Sequence, residues 1–318
     1  MADNQAKATT QRAAITPTTI REMPIDRVSA ILLFILRRLY CNSGPPSPCH
    51  GSVRGTFSEV RNRGPGILLY GGAVSFLTVN GARLAYRTIG NGPALLAPEC
   101  NYSWTPDFEA LMGRHFTLVV ASPRDFGAST RTGAPYDSNL WASDMLSVMR
   151  HLGHESFSLF GYSFTGAFGP WLALKLKDQA EIRAVASGGF PLLGDYGITS
   201  RDVDEQMADL EKNERLWLEY HKRFDLRAGA SFYRDLASLR PDALVDKSPC
   251  PLYCFWGDRD VDAVEVVMPH ADLAEGLTRR GVMWKQYPGL DHESLNADLA
   301  IAWPDVERWL LNQMGNSQ

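Results

Sequence analysis

What this sequence has little of narrows it before any motif is found. It carries only five cysteines, Cys41, Cys49, Cys100, Cys250 and Cys254. They are an odd, scattered set that offers neither a disulfide framework nor zinc-ligand spacing, because Cys250 and Cys254 flank and occupy an apolar strand with no histidine beside them. Such a set suits a reducing compartment, and the expected location is cytoplasmic. Lys/Arg runs interleaved with aromatics are missing and the formal charge is only −4, which argues against nucleic acid as a partner. Long hydrophobic runs are missing too. The most apolar stretch, Val28 to Leu36, has nine residues, against the roughly 20 that cross a bilayer. It lies too far from Met1 to read as a secretory signal, so no spanning segment is expected and a short packed helix is preferred over an interfacial anchor. No internal repeat is visible. What remains, 45% hydrophobic and 21% charged residues in a chain of 318, is the composition of an ordinary globular protein with a full core.

The chain divides by composition. Residues 1–70 are rich in Thr, Ala and Gln, then in the breakers of Ser43-Gly44-Pro45-Pro46-Ser47-Pro48 and Arg61-Asn62-Arg63-Gly64-Pro65-Gly66. This segment is expected to be a largely disordered appendage. From Gly72 onward the pattern changes. Val74–Val79 and Ala82–Arg87 read as strands joined by Asn80-Gly81, a strong hairpin signal. Ala94–Ala97, Phe116–Ala121, Ile182–Ala186, Leu252–Trp256 and Val282–Tyr287 are short apolar strands. Between them, Trp104–Met112, Asp137–Leu152, Phe164 to about Lys177, Pro269–Arg280 and Leu295–Met314 have helical spacing, the last with a break expected at Pro304. The alternation predicts an α/β fold with a mainly parallel, doubly wound sheet. It is interrupted after Pro191. From Asp202, the residues Val203, Met207, Leu210, Trp217, Tyr220 and Phe224 make one helical stripe, and Phe232, Leu236 and Leu239 a second. The expected organisation is therefore a core of residues 71–190 and 251–318, with residues 191–250 as a small helical cap over the sheet edge where ligands bind.

One stretch carries chemistry. Ser156–Gly166 reads as an apolar strand, a serine at a turn, and a helix opening with Phe164. This is the G-x-S-x-G elbow in partial form: Gly161 fills its first position, but Thr165 stands in place of the last glycine and Gly166 follows one place late. A serine hydroxyl needs a base to take its proton, and the base needs a carboxylate to hold it. Downstream of Ser163, the turn after Phe255-Trp256-Gly257 supplies Asp260, with Asp258 in reserve. Of seven histidines, His292 is the one in a loop leaving a strand's C-terminal end.

The order Ser163, Asp260, His292 resembles that of the α/β-hydrolase fold superfamily, in its serine hydrolase form with a helical cap. Ala121-Ser122-Pro123-Arg124-Asp125-Phe126-Gly127-Ala128-Ser129 resembles the family's D-x-R-G-x-G-x-S turn, with Ser122 and Asp125 at its altered positions. The resemblance runs from about Val74 to Met314. It implies an oxyanion hole built from the Phe164 amide and, after the third strand, the Cys100 amide, where Pro98-Glu99 replaces the usual His-Gly. A carboxylate on Glu99 would oppose a developing oxyanion unless it points away or serves as an extra acid/base. The resemblance also implies a serine rather than the aspartate of the fold's epoxide hydrolases and haloalkane dehalogenases.

The expected function is hydrolysis of an ester, lactone or thioester of a small apolar substrate through an acyl-enzyme, with Trp104, Tyr162 and Trp217 as pocket walls. The alternatives are a lyase, acyltransferase or cyclase on the same fold, which the altered Pro98-Glu99 favours, or a ligand-binding protein that keeps the triad. No metal or cofactor is implied. The partner is a small-molecule substrate, and a homodimer is left open.

Overall fold

The computed structural model describes residues 73–100, 103–221 and 225–315. The expectations for residues 1–70, including the Val28 to Leu36 run, lie outside the described residues.

The sheet begins where the sequence turns most sharply. Asn80 and Gly81 both take positive φ, 47° and 80°, the pair a two-residue hairpin turn demands. They pair β1 (Ser75–Val79) with β2 (Ala82–Ile89), antiparallel and in register from Ser75–Tyr86 to Val79–Ala82. Six further strands follow: β3 (Ala94–Pro98), β4 (Thr117–Ala121), β5 (Ser156–Tyr162), β6 (Glu181–Gly188), β7 (Leu252–Gly257) and β8 (Met283–Tyr287). The eight-stranded sheet has the order β1-β2-β4-β3-β5-β6-β7-β8. β2 meets β4 antiparallel, and every pair from β4–β3 onward is parallel.

Both faces of β3, β4 and β7 are covered, which is why they read as unbroken apolar runs, whereas β8 at the sheet edge alternates. Alternate residues go to opposite cores. Leu96, Val119, Leu159 and Cys254 face α2 (Ser138–His151), α3 (Phe164–Leu176) and α8 (His270–Arg279), whereas Leu95, Val120, Phe160 and Phe255 face α1 (Pro106–Met112), α9 (His292–Ala297) and α10 (Trp303–Gly315). Between β6 and β7 come α4 (Tyr196–Glu211), α5 (Glu214–His221), α6 (Leu226–Ala237) and α7 (Ala243–Asp246). The α6 helix is capped by Asp225, whose side chain accepts from the Arg227 and Ala228 amides, and α4 packs along it.

Three local expectations change. The aromatic stripe does not run along one helix from Asp202: α4 starts at Tyr196 and ends at Glu211, and α5 begins separately at Glu214. The closing helix breaks at Asp298, where a 3-10 turn (Leu299–Ile301) intervenes, not at Pro304. Pro304 lies in the first turn of α10, where its missing N–H costs nothing. His292 is the first residue of a short helix rather than part of a loop. Among the described residues no helix is long and apolar enough to cross a membrane.

Candidate active site

β5 ends at Tyr162 and α3 opens at Phe164, so Ser163 occupies the hinge between them with φ 56° and ψ −120°. A non-glycine residue in such a conformation costs about 1–3 kcal/mol and persists only where its surroundings enforce it. Here the Ser163 N–H donates to the Gly188 carbonyl at 2.8 Å and the Ser163 carbonyl accepts from the Ala167 N–H at 3.1 Å. Close backbone approach is needed at two neighbours. A Cβ on Gly161 would strike the Thr165 carbonyl, and one on Gly166 would strike the Gly188 carbonyl. The glycine that the motif appeared to lack at 165 is therefore required at 166. Thr165 braces the turn instead: its hydroxyl accepts from the Tyr162 N–H and donates to the Tyr162 carbonyl, both at 3.0 Å.

The histidine is held just as locally. Asp291 caps α9, accepting from the Ser294 N–H at 2.8 Å, while the Ser294 hydroxyl accepts from the Asp291 N–H at 2.9 Å. Tyr162 donates its hydroxyl to the His292 carbonyl at 2.9 Å. Its ring packs on the imidazole at 5.1 Å between centroids. Tyr162 is fully buried and supports the histidine from below.

These supports bring three distant residues into one line. His292 Nε2 lies 2.9 Å from Ser163 Oγ, and His292 Nδ1 lies 2.7 Å from Asp260 Oδ2. The Asp260 carboxylate is fully buried and its second oxygen accepts from the Ala263 and Val264 amides at 3.1 and 3.2 Å. With both oxygens engaged it can accept only from an Nδ1–H, which leaves Nε2 as the acceptor for the serine proton. Asp258, the reserve carboxylate, accepts instead from the Gly289 N–H at 2.7 Å and ties the turn after β7 to the turn after β8. The sequence offered no signal for His270, whose Nε2 lies 3.0 Å from the Asp260 carbonyl and props that turn.

Phe164, the residue after the serine, opens α3, and Cys100, two residues past β3, is buried in the same core as the Phe164 ring. The Cys100 thiol is buried, and burial first and the charge of Glu99 second push its pKa well above the ordinary value, so it is no nucleophile. Glu99 turns toward β2, where Arg87 Nη1 and Nη2 donate to its two oxygens at 2.9 and 3.1 Å.

The three residues expected to form pocket walls lie in different settings. Trp104 is buried against Phe160 at 5.4 Å and Phe108 at 6.0 Å. It lines a small cleft with Asn296 and Leu299. Tyr162 lies beneath the histidine, and Trp217 is half-buried on α5 with the Arg227 guanidinium 5.0 Å from its ring. The rings that meet Phe164 from the helices between β6 and β7 are Phe232 at 4.8 Å and Tyr233 at 5.4 Å, both on α6. Phe126 meets it at 5.7 Å from the turn after β4. Tyr233 was not singled out in the sequence.

No family model matches the chain. A soluble epoxide hydrolase from Corynebacterium sp. (strain C12) is 27% identical over 107 residues, which is 32% of this chain and 37% of that protein. A fluoroacetate dehalogenase from Burkholderia sp. is 35% identical over 105 residues, 30% of this chain and 34% of that one. The chain thus spans about a third of the length of these curated relatives. Among solved structures, an alpha/beta hydrolase fold protein from Chitinophaga pinensis superposes with a TM-score of 0.58 at 16% identity, covering 78% of this chain and 99% of that one.

Proposed function

This chain has the α/β-hydrolase fold, and from that premise we propose that it is a serine hydrolase acting on an ester, lactone or thioester of a small, apolar substrate. The observation that carries the reading is the hydrogen-bonded line from Ser163 through His292 to Asp260, with the serine held at positive φ. In the first half-reaction Ser163 Oγ bonds to the substrate carbonyl carbon as its proton passes to His292 Nε2, and Asp260 stabilises the imidazolium. The carbonyl oxygen becomes an oxyanion facing the amides of Phe164 and Cys100. Collapse expels the leaving alkoxide or thiolate, which takes the proton from His292. Water then attacks the acyl-enzyme, giving its proton to His292, and the acid leaves as Ser163 regains a proton.

The relatives by sequence include an epoxide hydrolase and a dehalogenase. A serine at the elbow favours acyl transfer over those two chemistries. The apolar preference rests on Phe164, the residue after the serine, and on Phe126, Phe232 and Tyr233, whose rings pack against it. The feature that favoured a non-hydrolytic enzyme was Glu99 beside the oxyanion position, and its engagement by Arg87 supports hydrolysis instead. Labelling with a fluorophosphonate tests the reading. The wild type is expected to label at Ser163, and Ser163→Ala and His292→Ala to lose the label. An unlabelled wild type would overturn it.

A further inference from the structure

Strand register explains where Glu99 goes. Arg87 on β2 pairs with Val120 on β4, and Val120 pairs with Ala97 on β3. The three side chains share one face. Glu99, two residues beyond Ala97, continues onto that face, whereas Cys100 belongs to the opposite core with Phe164. On the first face Arg87 meets a second carboxylate as well. Its Nε donates to Glu109 Oε2 at 3.1 Å and its Nη2 to Glu109 Oε1. Arg87 is 9% and Glu109 1% exposed. Burial works to lower the guanidinium's pKa, but the bonds to Glu109 and Glu99 outweigh it and the net shift is upward, so Arg87 keeps its charge.

One cation between two carboxylates is a poor way to stabilise a core, because desolvating three charges consumes most of what their attraction returns. What the cluster does supply is direction. Glu99 immediately precedes Cys100, whose amide the serine hydrolase reading assigns to the oxyanion, and a bidentate guanidinium fixes a carboxylate in orientation as well as in charge. We propose that Arg87 is a positioning residue for the reaction at Ser163: its guanidinium fork fixes the direction of the Glu99 carboxylate and holds it off the developing oxyanion, which lets a Pro98-Glu99-Cys100 loop serve acyl transfer. This rests on the serine hydrolase reading. It assigns Glu99 a cost to be contained, with no acid/base role.

The test measures fluorophosphonate labelling rates and thermal midpoints for the wild type and two variants. In Arg87→Met/Glu109→Gln the Glu99 charge is released without leaving Glu109 unpaired. In Arg87→Met/Glu109→Gln/Glu99→Gln the charge is gone. The first is expected to label roughly 30-fold more slowly than wild type, less than the roughly 10²–10³ that losing an oxyanion donor outright costs. Adding Glu99→Gln is expected to restore about tenfold of that loss, although it adds no packing and leaves the midpoint where it was. Equal rates in the two variants, or rates that simply follow the midpoints, would overturn the proposal while leaving the hydrolase reading intact. A wild type that does not label overturns both. Should these variants not fold, Arg87→Lys keeps the charge and loses the fork. It is expected to label about fivefold more slowly, with Arg87→Lys/Glu99→Gln returning to near the wild-type rate. No difference between that pair overturns the proposal in the same way.

Discussion

Thr165 illustrates how one residue can carry a turn. A threonine where the motif has glycine would ordinarily crowd the elbow, yet this side chain is fully buried and satisfies both polar groups of the Tyr162 backbone. Removing its hydroxyl takes away one hydrogen-bond partner from each of two buried backbone groups. Thr165→Val, nearly the same shape, is therefore expected to lose about 1–3 kcal/mol of stability. Urea denaturation measures it, and a loss within error of zero would mean that another group replaces the hydroxyl. The same residue scale governs Cys100. Burial and Glu99 keep its thiol protonated, so the sulfur is inert and only the backbone of Cys100 has a part in the proposed chemistry.

At the scale of elements, the helices between β6 and β7 are tied to α8 at their C-terminal end by one side chain, and Asp242 there links back to where they begin. Arg280, at the C-terminal end of α8, donates to Asp242 at 2.6 Å and to Asp246 at 2.9 Å. Asp242 also accepts from the Gly194 N–H at 2.8 Å, where the helical insertion begins. The hydrogen bond from Arg280 is the main reason that the Asp246 pKa is held below the usual carboxylate value. A carboxylate with a depressed folded-state pKa contributes stability above its unfolded value of about 3.9, and loses it as the pH falls through the folded value. Asp246→Asn should thus be less stable than wild type at pH 7, with the gap closing as the pH falls below about 4. Denaturation at both pH values checks the sign; a gap that persisted at low pH would point to packing rather than charge.

At the scale of the whole molecule, the sheet divides two cores, and the strand carrying the serine serves both. Leu159 enters one and Phe160 the other, one residue apart and just before the elbow. Trp303 anchors the second core, meeting Phe160, Phe108 and Phe116 edge-on at 5.5, 5.6 and 5.9 Å. Truncating so large a buried ring leaves a cavity that its aromatic neighbours cannot close. Trp303→Ala is expected to cost about 3–5 kcal/mol, read from the urea midpoint. A loss below about 1 kcal/mol would show that the second core repacks freely.

Much of this was legible in the residues alone. Asn80-Gly81, the apolar strands, and a serine between a strand and a helix are local facts, since turn geometry and periodicity belong to neighbours in sequence. Position after a strand and downstream of the serine pointed to Asp260, with Asp258 in reserve, and to His292 among the histidines. The tertiary structure alone decided how those residues are served. Neither the partnership of Arg87 with Glu99 and Glu109 nor the support of Asp260 by His270 leaves a trace in spacing, because strand register and helix packing bring them together. The displaced glycine at 166 became intelligible only once the Gly188 carbonyl of the neighbouring strand was found against it. The chain by itself determined which side chains could do chemistry; the sheet decided which way Glu99 faces, because a carboxylate follows its nearest cation, and that cation arrives from another strand.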